Sequence, residues 1–517
     1  MAFLGLSLIT WLLLVFAFLM LYIYSTTWKF SYWKKRGVPS PKPVPLLGNT
    51  LQVLKNGFHQ QVDAWMKELG PIFGLYAFGT TLIVGDVDVL RQILIKDFDH
   101  FRNHRQLGVE VKPFSKGVVR LTDDHWKNVR NILTPTFSAG KLKKMVPLLN
   151  GACRALIKKL CTASEDKATI NVKMLYNALM LDVVAATNFG LDVNSQENPD
   201  NAFFKYIEIM LRQGKKWLMI ILTISPRLYK VFEYLGFRIM DQTAIDFFMD
   251  VTEKVIEARK ADPNDKRVDF IRLMIDAHEM EPEKDEDGLV TQFNETGSDR
   301  TSKKVPMTSE EVMSQSITFI IAGYDTSSTL LSTVCYLLAL NPEIQDKLIE
   351  EVDAITEGTE NLEYDIISKM VYLDQIIQEA LRMYPPAPTT DRLCSKTWTN
   401  GKLTIDKGTV VMIPIYSLHH NPDLWPEPEK FNPDRFTKEE KEKRHPMAWI
   451  PFGHGPRNCI GMRFALLVVK FALTSIFQKY KVVPVAETPV PLVSKDFGRI
   501  LPNSGIPLGF EKREGIE

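Results

Sequence analysis

Cys459 stands in the least ordinary surroundings of any potentially reactive residue in the chain. A lone cysteine is usually an inert core residue. This one closes the run Pro451-Phe452-Gly453-His454-Gly455-Pro456-Arg457-Asn458-Cys459-Ile460-Gly461 and directly precedes an apolar helical segment, Met462 to Tyr480. That spacing puts the sulfur at a helix N-terminus, where the dipole and free N–H groups favour a thiolate. The glycines would let the backbone approach a flat ligand closely. A thiolate in such a loop is suited to ligating iron or to attacking a substrate, and it is also compatible with binding nothing.

A second group is Ala322-Gly323-Tyr324-Asp325-Thr326-Ser327-Ser328. A glycine and a run of hydroxyls are poor helix material. One reading is close packing against another helix. The other is a local opening of the helix at a ligand, with Thr326 as an inner hydroxyl and Asp325 as an outer carboxylate of a proton relay. A third group is Glu379-Ala-Leu-Arg382, whose i,i+3 spacing puts both charges on one face. Most such pairs lie on the surface and contribute little. Here Ile376, Ile377 and Leu381 flank the pair and Tyr384-Pro385-Pro386 ends the segment, so it reads as a buried pair that fixes geometry.

Several elements must position these groups. The segment from Thr308 is the clearest helix. Thr308 and Glu311 form a capping box and Pro342 stops the helix, giving about 32 residues, or roughly 48 Å. A helix that long crosses a large core. Helical periodicity also dominates about 140–260, 343–356, 368–384 and 460–478. Ile72–Tyr76 and Thr81–Val84, around Phe78-Gly79-Thr80, read as a hairpin, and Thr409–Ile413 as a later strand able to share its sheet. The run Glu279–Asp287 and the polar residues up to Lys304, including the sequon at Asn294, read as a solvated loop between helices.

Composition bounds the rest. Lys and Arg number 63 against 62 Asp and Glu, so no global field favours nucleic acid. The five cysteines (Cys153, Cys161, Cys335, Cys394 and Cys459) are scattered without a C-x-x-C pair, which is neither a disulfide framework nor a zinc ribbon. Ala2 to Trp28 carries no charge and is followed by Lys29, Tyr32, Trp33, Lys34, Lys35 and Arg36. About 20 apolar residues span a bilayer, and aromatic residues then basic ones mark a cytosolic exit. The chain therefore divides into an anchor (2–28), a basic, proline-rich connector (29–48) and a body (49–517).

Taken together, these motifs resemble the cytochrome P450 family of haem-thiolate monooxygenases, microsomal type, over nearly the whole chain. The family's F-x-x-G-x-R-x-C-x-G is met by Phe452, Gly455, Arg457, Cys459 and Gly461. Its oxygen-activation stretch is met by Ala322, Gly323, Asp325 and Thr326, its E-x-x-R by Glu379 and Arg382 with Arg435 as partner, and its W-x-x-x-R by Trp126 and Arg130. Thr134–Lys143 and Gly455–Ala465 are similar to the drug- and steroid-oxidising third family and its relatives, which include thromboxane synthase.

The resemblance implies a mainly α fold with small β-sheets (α+β), one large haem domain behind a transmembrane helix, at the endoplasmic reticulum membrane and facing the cytosol. It makes Cys459 the axial ligand of haem b. Trp126, Arg130, Arg392 and Arg457 would hold the propionates, with either His104 or Arg105 as a further contact. Val119, Ile321, Ala322 and Ala387 would line the substrate pocket, and Trp217–Leu222 would either flank a membrane-facing entrance or form a plain core helix. A thiolate ligand favours O–O cleavage. The reaction consumes two electrons and two protons, and the protons suit Asp325 and Thr326. No G-x-G-x-x-G is present, so the electrons come from NADPH through a partner diflavin reductase, with Lys127, Lys143, Lys144 and Arg463 as candidate contacts and cytochrome b5 as a second partner. The substrates would be lipophilic small molecules: xenobiotics, steroids or fatty-acid-like compounds. The alternatives are a peroxide isomerase of the thromboxane synthase type, which dispenses with the acid–alcohol pair, and a non-catalytic haem-binding protein, which needs no such pair.

Overall fold

The computed structural model describes residues 8–77, 79–106, 113–198, 200–211, 217–218, 220–221, 226–238, 240–262, 269–276, 305–494, 500–502 and 504–515. The acidic run Glu279–Asp287, Asn294, Phe78, Met219 and Leu222 lie outside these residues, as do the first positions of the anchor.

Helix dominates. The principal helices are α1 (Leu8–Trp28), α2 (Phe58–Leu69), α3 (Asp123–Leu133), α4 (Ala139–Glu165), α5 (Val172–Val184), α6 (Ala202–Leu211), α7 (Gln242–Ala261), α8 (Phe270–Asp276), α9 (Ser309–Leu340), α10 (Pro342–Thr356), α11 (Val371–Met383) and α12 (Met462–Lys479). The periodicity over 140–260 is thus not one helical stretch. Gly190, in the left-handed region at φ 65°, ends the helical run that includes α5.

The strands are β1 (Ile72–Tyr76), β2 (Thr80–Val84), β3 (Ile170–Asn171), β4 (Thr390–Leu393), β5 (Trp398–Thr399), β6 (Thr404–Ile405), β7 (Val410–Ile413), β8 (Tyr480–Pro484) and β9 (Pro507–Lys512). The largest sheet runs β1-β2-β7-β4. Its β1–β2 hairpin is antiparallel, and β2 pairs in parallel with β7 at Leu82–Val411. The two ends of the sequence are thereby stitched together. A second sheet, β3-β9-β8, was not legible in the sequence, because β3 has only two residues and lies more than 300 residues before the strands it joins.

The long central helix α9 forms as its cap signals require. The Thr308 hydroxyl accepts from the Glu311 N–H, and the Glu311 carboxylate accepts from the Thr308 N–H at 2.7 Å. Beyond Ser327 nearly every residue of α9 is buried, so the helix crosses the core instead of lying on it. Phe270 of α8 packs on Phe319 of α9 and Phe464 of α12, with ring centroids 5.9 and 5.5 Å apart. This ties the hydroxyl-rich helix to the one that follows Cys459.

Helix α1 carries no charged residue, and Ile9, Leu12, Leu13, Phe16 and Tyr24 on it are 60% exposed or more. Several of its side chains lie outside the described residues; among the described residues no helix is long and apolar enough to cross a membrane. Trp33 is not an interfacial aromatic. It is 2% exposed, its indole N–H donates to the Leu75 carbonyl, and it lies so close over Gly74 that a Cβ there would meet its ring at 2.2 Å. Arg36 and Tyr32 both bind Asp406, so the basic stretch after α1 is held against the sheet.

Candidate functional site

The loop before α12 builds its own geometry. The Cys459 N–H donates to the Phe452 carbonyl at 2.8 Å, closing the turn. Gly453 and Gly455 take φ of 70° and 76°, which other residues rarely adopt. A Cβ on Gly455 would sit 2.1 Å from the Leu94 carbonyl, so this glycine is required by close approach to the chain itself. Gly461 is the N-cap of α12. Burial raises the Cys459 pKa, and the N–H groups of Gly461 and Met462, together with the charge of Arg130, pull it back. Cys459 lies deep in the molecule, yet its side chain is exposed: it faces an internal cleft.

The middle of α9 opens onto a cleft as well. Ala322 and Thr326, one turn apart, are exposed although the helix around them is largely buried. Val119 and Ala387 are also exposed, and Ile321 is half-buried. Val119 lies in a loop pinned to α9: the Val118 N–H donates to Gln315 Oε1 at 2.7 Å, and Gln315 Nε2 returns a bond to the Lys116 carbonyl. The helix is continuous through this stretch, so the local opening read from the sequence does not occur. Instead the Thr326 hydroxyl donates to the Ala322 carbonyl at 2.5 Å. Gly323 packs against Val184 of α5, where an added Cβ would lie 3.1 Å from a methyl group.

Asp325 points elsewhere. Lys173 of α5 binds its carboxylate at 2.9 Å and its carbonyl at 3.0 Å, and also donates to Ser328 and Thr329. Successive residues on a helix point about 100° apart, so acid and alcohol do not share a direction. Lys173 carries no signal in the sequence, since its partner is 152 residues away.

A cationic cluster surrounds Asp391. Burial lowers the pKa of Arg392 and Arg130 to about 10 and of Arg457 to about 9, and lowers that of Arg105. Burial would raise Asp391, but the His104 ring at 3.3 Å and the Arg105 N–H at 2.9 Å outweigh it and hold Asp391 near 2. One acid thus faces several guanidinium groups. Arg457 donates to the carbonyls of Arg102, Val119 and Leu121 and stacks on Trp126 at 4.7 Å. Nε of Arg392 and of Arg457 is buried without a partner. Arg130 gives both terminal nitrogens to Asn458, at 2.9 and 2.8 Å. Asp391 and Asn458 escaped the sequence reading.

Glu379 and Arg382 are both fully buried and joined by two bonds of 2.7 and 2.9 Å. Arg382 also donates to the His419 carbonyl, and Glu379 accepts from the Asn432 N–H, with Arg435 Nε 3.3 Å away. Glu379 thus compensates the fully buried Arg382, which a buried pair requires.

A haem fits these residues. A sulfur at a helix N-terminus suits iron ligation. Surplus buried guanidinium groups with unpartnered N–H donors suit two carboxylates. An exposed hydroxyl in mid-helix supplies a proton donor.

The profile of the family described as Cytochrome P450 matches residues 38–510. Cytochrome P450 3A9 of Rattus norvegicus is 36% identical over 511 residues, covering 98% of this chain and 97% of the relative. Cytochrome P450 3A31 of Mesocricetus auratus and cytochrome P450 3A11 of Mus musculus are each 36% identical over 99% of this chain and 98% of theirs. Sulfur loop, buried acid–arginine triad, mid-helix alcohol and full-length likeness agree: the chain belongs to the cytochrome P450 family and is a haem-thiolate monooxygenase that takes lipophilic substrates and is supplied with electrons by a reductase.

Proposed function

We propose that the chain is a membrane-anchored, broad-specificity oxygenase of xenobiotics and steroids at the endoplasmic reticulum, with the catalytic body in the cytosol. The observation that carries the reading is that Cys459 and Thr326 are both exposed although the helices α9 and α12 beside them are largely buried. Cys459 ligates the iron of haem b. Arg130, Arg392, Arg457, Arg105 and the Trp126 indole take the propionates, and Arg105 is preferred to His104 because the His104 ring is engaged by Asp391. Phe452, Gly455 and Gly461 shape the loop, and Glu379, Arg382 and Arg435 hold the segment between His419 and Asn432.

The haem, when bound, supplies oxygen activation at its iron. The residues of the chain handle the proton. The Thr326 hydroxyl leaves the Ala322 carbonyl to donate into the cleft, and Asp325 resupplies it after release from Lys173. Val119, Ile321, Ala322 and Ala387 line the substrate side with apolar surface, suited to molecules recognised by burial instead of by charge. Retention of the acid–alcohol pair favours oxygenation over peroxide isomerisation.

The anchor is the stretch 2–28, whose 27 uncharged residues exceed the about 20 that cross the hydrocarbon core. Residues 29–48 connect it to a single haem body over 49–517. Trp217, Leu228, Val231, Tyr234 and Leu235 are exposed apolar side chains that suit the same bilayer. Lys127, Lys144 and Arg463 are reductase contacts, with Lys143 partly committed to Asp365, and cytochrome b5 is an auxiliary donor.

The test is reconstitution of the full chain with diflavin reductase, NADPH and a steroid probe. Hydroxylated product with NADPH consumption is expected. Peroxide rearrangement without NADPH, and no hydroxylation with it, would contradict the proposal.

A further inference from the structure

His419, the last residue of the short helix Ile415–His419, belongs to no motif of the sequence, yet it is fully buried. It is gripped at both ends. Its carbonyl accepts from Arg382 Nη1 at 2.9 Å, and its Nε2 accepts from the Ile450 N–H at 3.1 Å. A peptide N–H can only donate, so Nε2 carries no proton and the single proton of the neutral ring sits on Nδ1. Burial and the charges of His420 and Arg382 hold the pKa of His419 well below its ordinary value, which keeps the ring in that neutral form. The backbone of Leu381 and Arg382 lies against the same ring.

From Ile450 the connection runs on to the sulfur loop. The Ile450 carbonyl accepts from the Gly453 N–H at 3.0 Å, and the Phe452 carbonyl accepts from the Cys459 N–H at 2.8 Å. Both bonds belong to one peptide group, the one joining Phe452 to Gly453. A planar peptide holds its N–H and C=O in a fixed relation, so the position of Ile450 is passed to the backbone of Cys459.

We propose that His419 is a positioning residue for the iron-ligating sulfur: its Nε2 holds Ile450, and through the Phe452–Gly453 peptide it couples the Glu379–Arg382 pair to the backbone of Cys459. The proposal rests on the assignment of Cys459 as the iron ligand. A buried N–H left without an acceptor costs more than an ordinary hydrogen bond contributes. Without Nε2, Ile450 therefore shifts toward another acceptor, the turn at Phe452 follows, and the sulfur leaves the iron more readily. Shape cannot substitute for the acceptor. A phenyl ring at 419 fills nearly the same space but offers Ile450 nothing, whereas a glutamine side chain reaches about as far as Nε2 and ends in an oxygen that accepts.

The experiment uses the full, haem-loaded chain, reduced with dithionite under CO near neutral pH. It follows the decay of the red-shifted Soret band of thiolate ligation into the unshifted band of haem that has lost its sulfur. A haem-loaded wild type without the red-shifted band would overturn the ligand assignment, and the proposal with it. His419→Phe should load haem, show the band at first and lose it about tenfold faster than wild type, the effect of one stranded buried N–H. His419→Gln should stay within about twofold of wild type, because it restores the acceptor. Equal decay in His419→Phe and wild type, or decay in His419→Gln as fast as in His419→Phe, would overturn the proposal and leave His419 as core filling. Should His419→Phe fail to load haem, His419→Gln decides alone. A wild-type haem yield and decay then support the proposal, and loss of haem or of the band overturns it.

Discussion

The sulfur loop and the middle of α9 solve opposite problems. From Phe452 to Gly461 the loop is fixed from within and from without: its turn is closed by Cys459 on Phe452, its positive φ values fall on glycines, Arg457 is tied to the carbonyls of Arg102, Val119 and Leu121, and Arg130 of α3 forks onto Asn458. Around Thr326 the hold is on the neighbours and not on the hydroxyl that faces the cleft. Lys173 reaches in from α5 to take the Asp325 carboxylate and two hydroxyls, and the one hydroxyl facing the cleft rests on its own helix. A ligand to iron needs a fixed position, whereas a proton donor needs an available alternative. The first site is built for rigidity and the second for exchange.

Substitutions can break this contrast at either end. The largest effect is expected at Glu379→Gln, which replaces a carboxylate that accepts from Arg382 and Asn432 with an amide and leaves a buried guanidinium uncompensated, at about 3–5 kcal/mol. Haem-loaded protein should be nearly absent, as read by the haem absorbance per mole of chain; a wild-type yield would mean the triad does not support the loop. Thr326→Ala should leave haem and NADPH consumption intact while product per NADPH falls roughly 10- to 100-fold, the electrons appearing as hydrogen peroxide. Unchanged coupling would make Thr326 packing and nothing more.

Lys173→Met should be milder: it strips partners from Asp325, Ser328 and Thr329 and is expected to cost about 1–3 kcal/mol of stability, read by denaturant unfolding, with the CO band of the reduced protein unchanged. A band shift would show that the two regions are not separable. The smallest effect concerns pH. Burial and the charge of His420 push His59 down to about 4, and its Nδ1 has no partner. The folded chain keeps His59 neutral while the unfolded chain protonates it near 6.5. The stability this confers is complete above about pH 6.5 and is lost as pH falls toward 4, at up to about 1.4 kcal/mol per pH unit. His59→Phe, which keeps the ring contact with Tyr416, should flatten that slope with little change at pH 7; an unaltered slope would contradict it.

How much was legible follows the same division. Features written in adjacent residues read correctly: the capping box at Thr308 and Glu311, the β1–β2 hairpin, and the helix starting just after Cys459. Features that depend on residues far apart did not. Nothing near Lys173 announces Asp325, nothing near Arg130 announces Asn458, and Asp391 gains its meaning only once His104 and Arg105 are brought beside it. Trp33 was misread for the same reason: an aromatic after an apolar helix suits a membrane interface, and only the notch above Gly74 shows that it belongs to the sheet. Glycine roles were ambiguous too: the Leu94 carbonyl requires Gly455, and nothing near Gly455 in the sequence announces it.

The central claim is that the Cys459 sulfur, held at the N-terminus of α12, is the axial ligand to haem iron. The most direct measurement is the absorption spectrum of the dithionite-reduced protein under CO, for wild type and Cys459→Ala side by side. Wild type is predicted to show a strongly red-shifted Soret band, and Cys459→Ala to lose it together with most of its haem. A red-shifted band that survives in Cys459→Ala, or one that is missing from a haem-loaded wild type, would contradict the account.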